Sequence, residues 1–239
     1  MRSAVRTLLP VVAACVLAAG CLTRTPPPVA SPAATPIPSP PPASVPEGTL
    51  YRIDPKASKV DVLVYRGGTF ARFGHNHVMT SKAVTGRVWL SPQLEKSGFE
   101  LSFPVAELIV DDPAARRAAG SEFPPDIPQA DKDGTRKNML RTEVLDAERF
   151  PEVKLQAVRI MGSLQAPQIT ARITIKDATR EVEVPATVAA EGSRLTASGE
   201  FDIQQTTFGM KPFSVGLGAL AVKDQLHIKF ELVAQKSST

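Results

Sequence analysis

Two neighbouring segments in the second half of the chain alternate strictly between apolar and polar residues. In residues 169–175 every second position is isoleucine or alanine, and in residues 182–188 it is valine or alanine. A period of two predicts β-strands, each with one apolar and one solvated face. Because two strands alone cannot shield an apolar face from water, further strands must complete the sheet.

The same alternation recurs along the chain and predicts eight main strands, with a short lead-in at residues 51–53. Most turns between them are short and polar, which favours an antiparallel meander. Closure removes exposed edges, so we predict an all-β fold, an eight-stranded antiparallel barrel. Pro104 and Pro185 have no backbone N–H to donate to a neighbouring strand. We therefore predict bulges or local openings of the sheet at these positions. The predicted strands span residues 59–66, 84–90, 99–105, 153–157, 169–176, 181–188, 195–203 and 226–232.

Two connections that we expect to be functional are long, residues 67–82 and residues 108–150. The second holds a loop rich in proline and acidic residues, followed by Thr135–Asp146, which we predict to be a short helix. Leu140 and Val144 would share one face of that helix. Connections of this length usually have a function, and we expect the helix to be a lid over the barrel.

The first 47 residues are typical of a targeting segment. Residues 1–20 have an arginine-containing start and an apolar run, which predict a bacterial signal peptide. The run ends in LAAGC, which resembles a lipobox and predicts acyl chains such as palmitate on Cys21; an ordinary secretory signal is the alternative. Residues 21–47 contain ten of the 22 prolines and predict a disordered linker. The barrel domain would then span residues 48–236.

Leucine, and not aspartate, follows Cys21. Under the sorting rule of enterobacteria, this predicts a lipid-anchored protein of the cell envelope, at the outer membrane and facing the periplasm. The chain carries 28 Lys and Arg against 24 Asp and Glu, a net charge of +4. These charges are scattered, which argues against a nucleic-acid partner. Both cysteines, Cys15 and Cys21, lie in the N-terminal segment, so we expect no disulfide in the domain.

Three motifs occur in a consistent order. They are LDAERFP at residues 145–151, the hairpin of residues 169–188, and GEFDI through TFGM at residues 199–210. Together they resemble the YceI-like family of periplasmic polyisoprenoid-binding proteins, over residues 50–234. The resemblance implies a lipocalin-like barrel that binds a long isoprenoid, such as a prenyl quinone or a polyprenyl phosphate.

The inward positions of the predicted barrel mix large and small side chains. Small side chains on an inner wall leave space along the axis, and a lipid there would gain about 0.8 kcal/mol per buried CH₂. The alternative is that they only fit the taper of a solid barrel, as in a structural envelope lipoprotein. The residues predicted to line the cavity are Val88, Leu101, Phe103, Leu155, Ala171, Ile173, Val184, Ala186, Ala197, Phe201 and Phe230.

Polar and aromatic residues of the long connections are candidates for the mouth of the barrel. His75 and His77 would point the same way in an extended segment and could contact a ligand head group. With His227 they could instead form a metal or catalytic site, although three convergent ligands are not evident. The sequence has no nucleophile elbow or phosphate-binding glycine loop. We therefore expect no enzyme, cofactor or metal, and leave a homodimer open. The predicted mouth residues are Phe73, His75, His77, Arg136, Arg141 and Phe208.

Overall fold

The structure, a computed structural model, describes residues 48–237, and these are mostly β-strands. The predicted signal peptide, Cys21 and almost all of the linker lie outside the described residues. Two helices are present, α1 (Pro113–Ala119) and α2 (Gln129–Leu140). The strands are β1 (Thr49–Ile53), β2 (Lys59–Gly67), β3 (His77–Ser81), β4 (Thr85–Leu90), β5 (Gly98–Pro104), β6 (Ile109–Val110), β7 (Glu152–Gly162), β8 (Pro167–Ile175), β9 (Ala178–Pro185), β10 (Thr187–Glu191), β11 (Arg194–Gln204), β12 (Ser214–Val215) and β13 (Leu220–Lys236).

Every predicted strand is present, and the pairing is antiparallel throughout. The ladders run in the order β6-β3-β2-β13-β1-β4-β5-β7-β8-β9, and β11 pairs with both β13 and β10. The predicted strand 181–188 is split at Ala186 into β9 and β10, next to Pro185, where a local opening was expected. Within the described residues no ladder joins β9 to β11, so the sheet is not a fully hydrogen-bonded ring. The all-β, lipocalin-like prediction is confirmed.

The close packing of the strands at this opening requires a glycine. A Cβ on Gly199 of β11 would lie 2.1 Å from the Pro185 carbonyl oxygen and 2.8 Å from the Phe230 ring. Only a residue without a side chain lets β9 and β11 approach this closely. Overpacking of this kind costs about 1–3 kcal/mol.

We expect Gly199→Ala to lower the free energy of unfolding by about 2 kcal/mol, because Pro185 or Phe230 must move. Chemical denaturation would measure the loss. Gly134→Ala in α2 is the matched control, since its Cβ would meet nothing within 4 Å, and it should stabilise by about 0.5–1 kcal/mol. Equal stability of the Gly199 variant and the natural protein would contradict this account.

The long second connection is helical in a different place from that predicted. The prediction of a helix at Thr135–Asp146 is wrong in its bounds, because α2 starts after Pro128 and ends at Leu140. Backbone bonds from Leu145 and Ala147 back to α2 form a tight turn after it, and Asp146 has a positive φ of 48°. Leu140 and Val144 therefore do not share a helical face, although Leu140 packs against the main core and Val144 is buried.

Within residues 48–237 the buried apolar side chains lie between Tyr51 and Ala234, and the main cluster fills the interior of the sheet. A smaller cluster on the outer face joins Leu63, Val78 and Phe123 beneath the second connection. Residues 44–239 form one compact unit by themselves. Among the described residues, neither helix has the length and apolar character needed to span a bilayer.

Candidate ligand-binding site

A cavity of about 330 Å³ lies inside the sheet. Its size falls within the range of small-molecule sites, about 300–1,000 Å³. All eleven residues that were predicted to face the interior line it, including Ala171, Ala186 and Ala197. Phe201 and Phe230 stack edge to face across one part of the wall, with ring centroids 6.4 Å apart. The small side chains therefore leave real space, and the interior is not solid.

Four polar side chains line one end of this mainly apolar cavity, His77, Thr135, Asn138 and Gln205, and a fifth, Ser97, lines it beside the start of β5. Thr135 and Asn138 belong to α2, which covers this end as the expected lid. Gln205 is buried and donates from Nε2 to the Lys223 carbonyl at 2.8 Å. A ligand with a long apolar body and one polar end would match this distribution.

His77 is held by a buried ion pair. Its Nδ1 lies 2.7 Å from Asp111 Oδ2, while Asp111 Oδ1 lies 2.5 Å from Arg116 Nη1 and accepts from the Val78 backbone N–H at 2.9 Å. Arg116 also donates to the carbonyls of Asn76 and Pro124 at 2.6 Å. This arrangement orients the imidazole and leaves Nε2 available to a ligand in the cavity.

Asp111 and Arg116 are both completely buried. Burial by itself would raise the pKa of the Asp111 carboxyl. The hydrogen bonds that it accepts from His77, Val78 and Arg116 more than offset this effect and lower the pKa below its ordinary value of 3.8. The aspartate is therefore ionised at neutral pH and neutralises the buried guanidinium.

Five of the six predicted mouth residues do not line the cavity. Phe73 is 67 % exposed at the end of a loop, and His75 is exposed beside His77. Arg136 donates to the carbonyls of Leu108 and Ala106, so it ties α2 to the preceding loop. Arg141 follows α2 and lies over the Phe213 ring, and Phe208 is 1 % exposed in the core. These five side chains are therefore not part of the cavity wall, and their contact with a ligand at the mouth stays a prediction.

The three histidines do not converge. In the sheet His77 lies opposite Val64, whereas His227 lies opposite Leu63, so the two imidazoles are on different faces. His227 contacts Asp202 at 2.7 Å on the outer face. Within residues 48–237 no group of three or more His, Cys, Asp or Glu side chains is placed to hold a metal ion.

Sequence reasoning missed Asp111 and Arg116, which hold the one histidine that lines the cavity. Arg116 stands beside Arg117 on a short helix, a pattern typical of a solvated face. Its burial depends on contacts with Asn76 and Pro124 from other segments. No local pattern in the sequence signals those contacts.

Comparison with known proteins identifies the fold family. Residues 51–234 match the YceI-like domain. The chain belongs to the YceI-like family. Among solved structures, Burkholderia cenocepacia BcnA is 20 % identical, with a TM-score of 0.55, covering 77 % of this chain and 99 % of that one.

A polyisoprenoid-binding domain from Saccharophagus degradans, implicated in plant cell wall breakdown, is 10 % identical with a TM-score of 0.53. The match covers 78 % of this chain and 98 % of that domain. At these identities the two likenesses establish the shared fold alone. No curated protein sequence matches this YceI-like chain.

Proposed function

We propose that this YceI-like protein binds a long-chain isoprenoid in its cavity and sequesters or carries it at the cell envelope. The observation that carries the proposal is a cavity lined almost entirely by apolar side chains, with four of its polar side chains together at the α2 end. Family membership and the polyisoprenoid-binding neighbour support this ligand class. A prenyl quinone or a polyprenyl phosphate has the required form, a long branched hydrocarbon with a single polar end.

The chemistry of the wall explains how such a ligand would be held. Each buried CH₂ contributes about 0.8 kcal/mol, so a few isoprene units bind without polar contacts. At the α2 end, His77 Nε2 would contact a quinone carbonyl or a phosphate oxygen. Thr135 and Asn138 would add neutral hydrogen bonds there. The role is binding and not catalysis, and it needs no cofactor or metal.

The proposal includes attachment to the outer membrane through acyl chains on Cys21, with the domain facing the periplasm. The proline-rich linker, at about 3.1 Å per residue in an extended form, would let the domain reach well away from its anchor. A homodimer would be compatible with this role but is not needed for it.

We expect organic extraction of the purified protein, followed by mass spectrometry, to recover an isoprenoid in near-stoichiometric amount. The stripped protein should then bind prenyl quinones in a fluorescence titration. Denatured protein carried through the same extraction is the control for adhering lipid. Recovery of no apolar ligand, together with failure to bind prenyl quinones, would overturn the proposal.

A further inference from the structure

Two adjoining loops form an exposed apolar surface, which we call the double-loop tip and define as residues 66–75 and 211–223. The Phe70 backbone N–H donates to the Ala219 carbonyl at 2.7 Å, which joins the loops. Four large apolar side chains on the tip are exposed: Phe70 at 53 %, Phe73 at 67 %, Val215 at 47 % and Leu217 at 110 %. Clustered exposure of this kind marks an interaction site, whereas single exposed apolar residues do not.

The backbone conformation at Leu217 is unfavourable for a residue with a bulky side chain, yet it keeps that side chain exposed to solvent. Leu217 has a φ of +54°, and the glycines on either side, Gly216 and Gly218, have φ values of +60° and +91°. A positive φ is unfavourable for a bulky side chain. Phe70 and Phe73 stack edge to face at 6.1 Å, which keeps both rings at the surface.

The charged residues within the two tip segments are all positive, and Asp224, just beyond them, accepts hydrogen bonds from Thr206. The two segments contain Arg66, Arg72, Lys211 and Lys223 and no aspartate or glutamate. Arg72 lies over the Phe73 ring at 4.7 Å, so a cation borders the apolar surface directly. Apolar side chains rimmed by cations complement the interface of a membrane with anionic head groups.

The tip lies at the polar end of the cavity. Phe213 and Val222 belong to the tip segments and line the cavity, as His77 does just beyond the first loop. The Val222 N–H donates to the Phe213 carbonyl at 3.0 Å, which links this wall to the loops. A lipid that leaves a bilayer beneath the tip would therefore have a short path to the interior.

We propose that the double-loop tip docks on anionic membranes, inserting Phe70, Phe73, Val215 and Leu217 at the head-group level. Docking is a property of the folded domain and is separate from the acyl anchor. It goes beyond ligand binding, and it can be measured whether or not the cavity ligand is an isoprenoid.

The test uses residues 44–239, which form a compact unit containing all the buried apolar side chains described above. This unit has no cysteine of its own. A cysteine placed by Leu217→Cys, carrying an environment-sensitive fluorophore, should show a blue shift and at least a twofold intensity rise with phosphatidylglycerol vesicles. Val158→Cys is the matched control because Val158 is 42 % exposed away from the tip, on β7, and its probe should not respond.

Vesicle sedimentation supplies the second measurement. Phe73→Ser with Leu217→Ser should lower partitioning to phosphatidylglycerol vesicles at least tenfold, whereas Val158→Ser with Met161→Ser should leave it unchanged. Unchanged melting temperatures would show that all variants fold. The proposal would be overturned if the two fluorophores responded equally or if the two double variants lost vesicle binding equally. It would also be overturned if the protein bound only neutral vesicles, or if it self-associated through Leu217 without binding vesicles.

Discussion

We expect Asp111→Ala to destabilise the protein by about 3–5 kcal/mol, the largest single effect anticipated here. Removing the carboxylate leaves Arg116 as a buried cation without its counter-charge, and such groups are costly. The side chains of Asp111 and Arg116 are both 0 % exposed, so water cannot replace the lost partner. Denaturant unfolding would measure the change.

Two controls distinguish the stability lost by breaking the ion pair from the stability lost by removing any carboxylate. The neighbouring Asp112 caps α1 by accepting from Ala114 and Ala115, and Asp112→Ala should cost only about 1 kcal/mol. Adding Arg116→Met to Asp111→Ala should recover much of the stability, because it removes the unpaired charge. A cost below that of Asp112→Ala would show that the pair does not stabilise the fold.

The same carboxylate predicts a dependence of stability on pH. Because the folded-state pKa of Asp111 is lowered from 3.8, its contribution is present in full well above that value. It is lost as the pH falls through the folded-state pKa. The difference in unfolding free energy between the natural protein and Asp111→Ala should therefore narrow as the pH falls below about 4.

The second large effect concerns ligand binding. We expect Ala197→Phe to weaken prenyl quinone binding by at least about a hundredfold, which corresponds to about 2.7 kcal/mol. Ala197 lines the cavity, and a phenyl ring there would occupy the space that the ligand needs. Titration of the stripped protein with a prenyl quinone would measure the loss.

The neighbouring position is a matched control for this change. Ser198 follows Ala197 on β11, points to the outer face and is exposed. Ser198→Phe adds the same aromatic side chain to the same strand, but on the outer face and not in the cavity. Similar affinities for the Ala197 and Ser198 variants, with both folded, would show that the ligand does not bind in this cavity.

The interior was predictable because a strand has only two faces. Alternation alone places Ala171, Ile173 and Phe201 on the apolar side, and the structure puts each of them on the cavity wall. The strands β3 and β6 were missed because they are short segments within the two long connections, and β12 was missed because it has only two residues. The position of α2 was misjudged because Gln129–Gly134 has the composition of a loop.

The polar end of the site could not be derived in the same way. His77 is 34 residues away from Asp111, and although Arg116 follows Asp111 by only five residues, no local pattern signals that the two are buried together. Likewise, the loops that carry Phe73 and Leu217 are far apart in the chain and are joined by the hydrogen bond from Phe70 to Ala219.

The sequence by itself determined the strands, the face that each one buries and the small side chains that leave the interior open. These properties follow from local periodicity and side-chain volume. Only the tertiary structure decided where the sheet opens, which histidine reaches the cavity and which charges are buried with it. Those outcomes depend on contacts between distant segments, and such contacts are set by how the loops pack over the finished sheet.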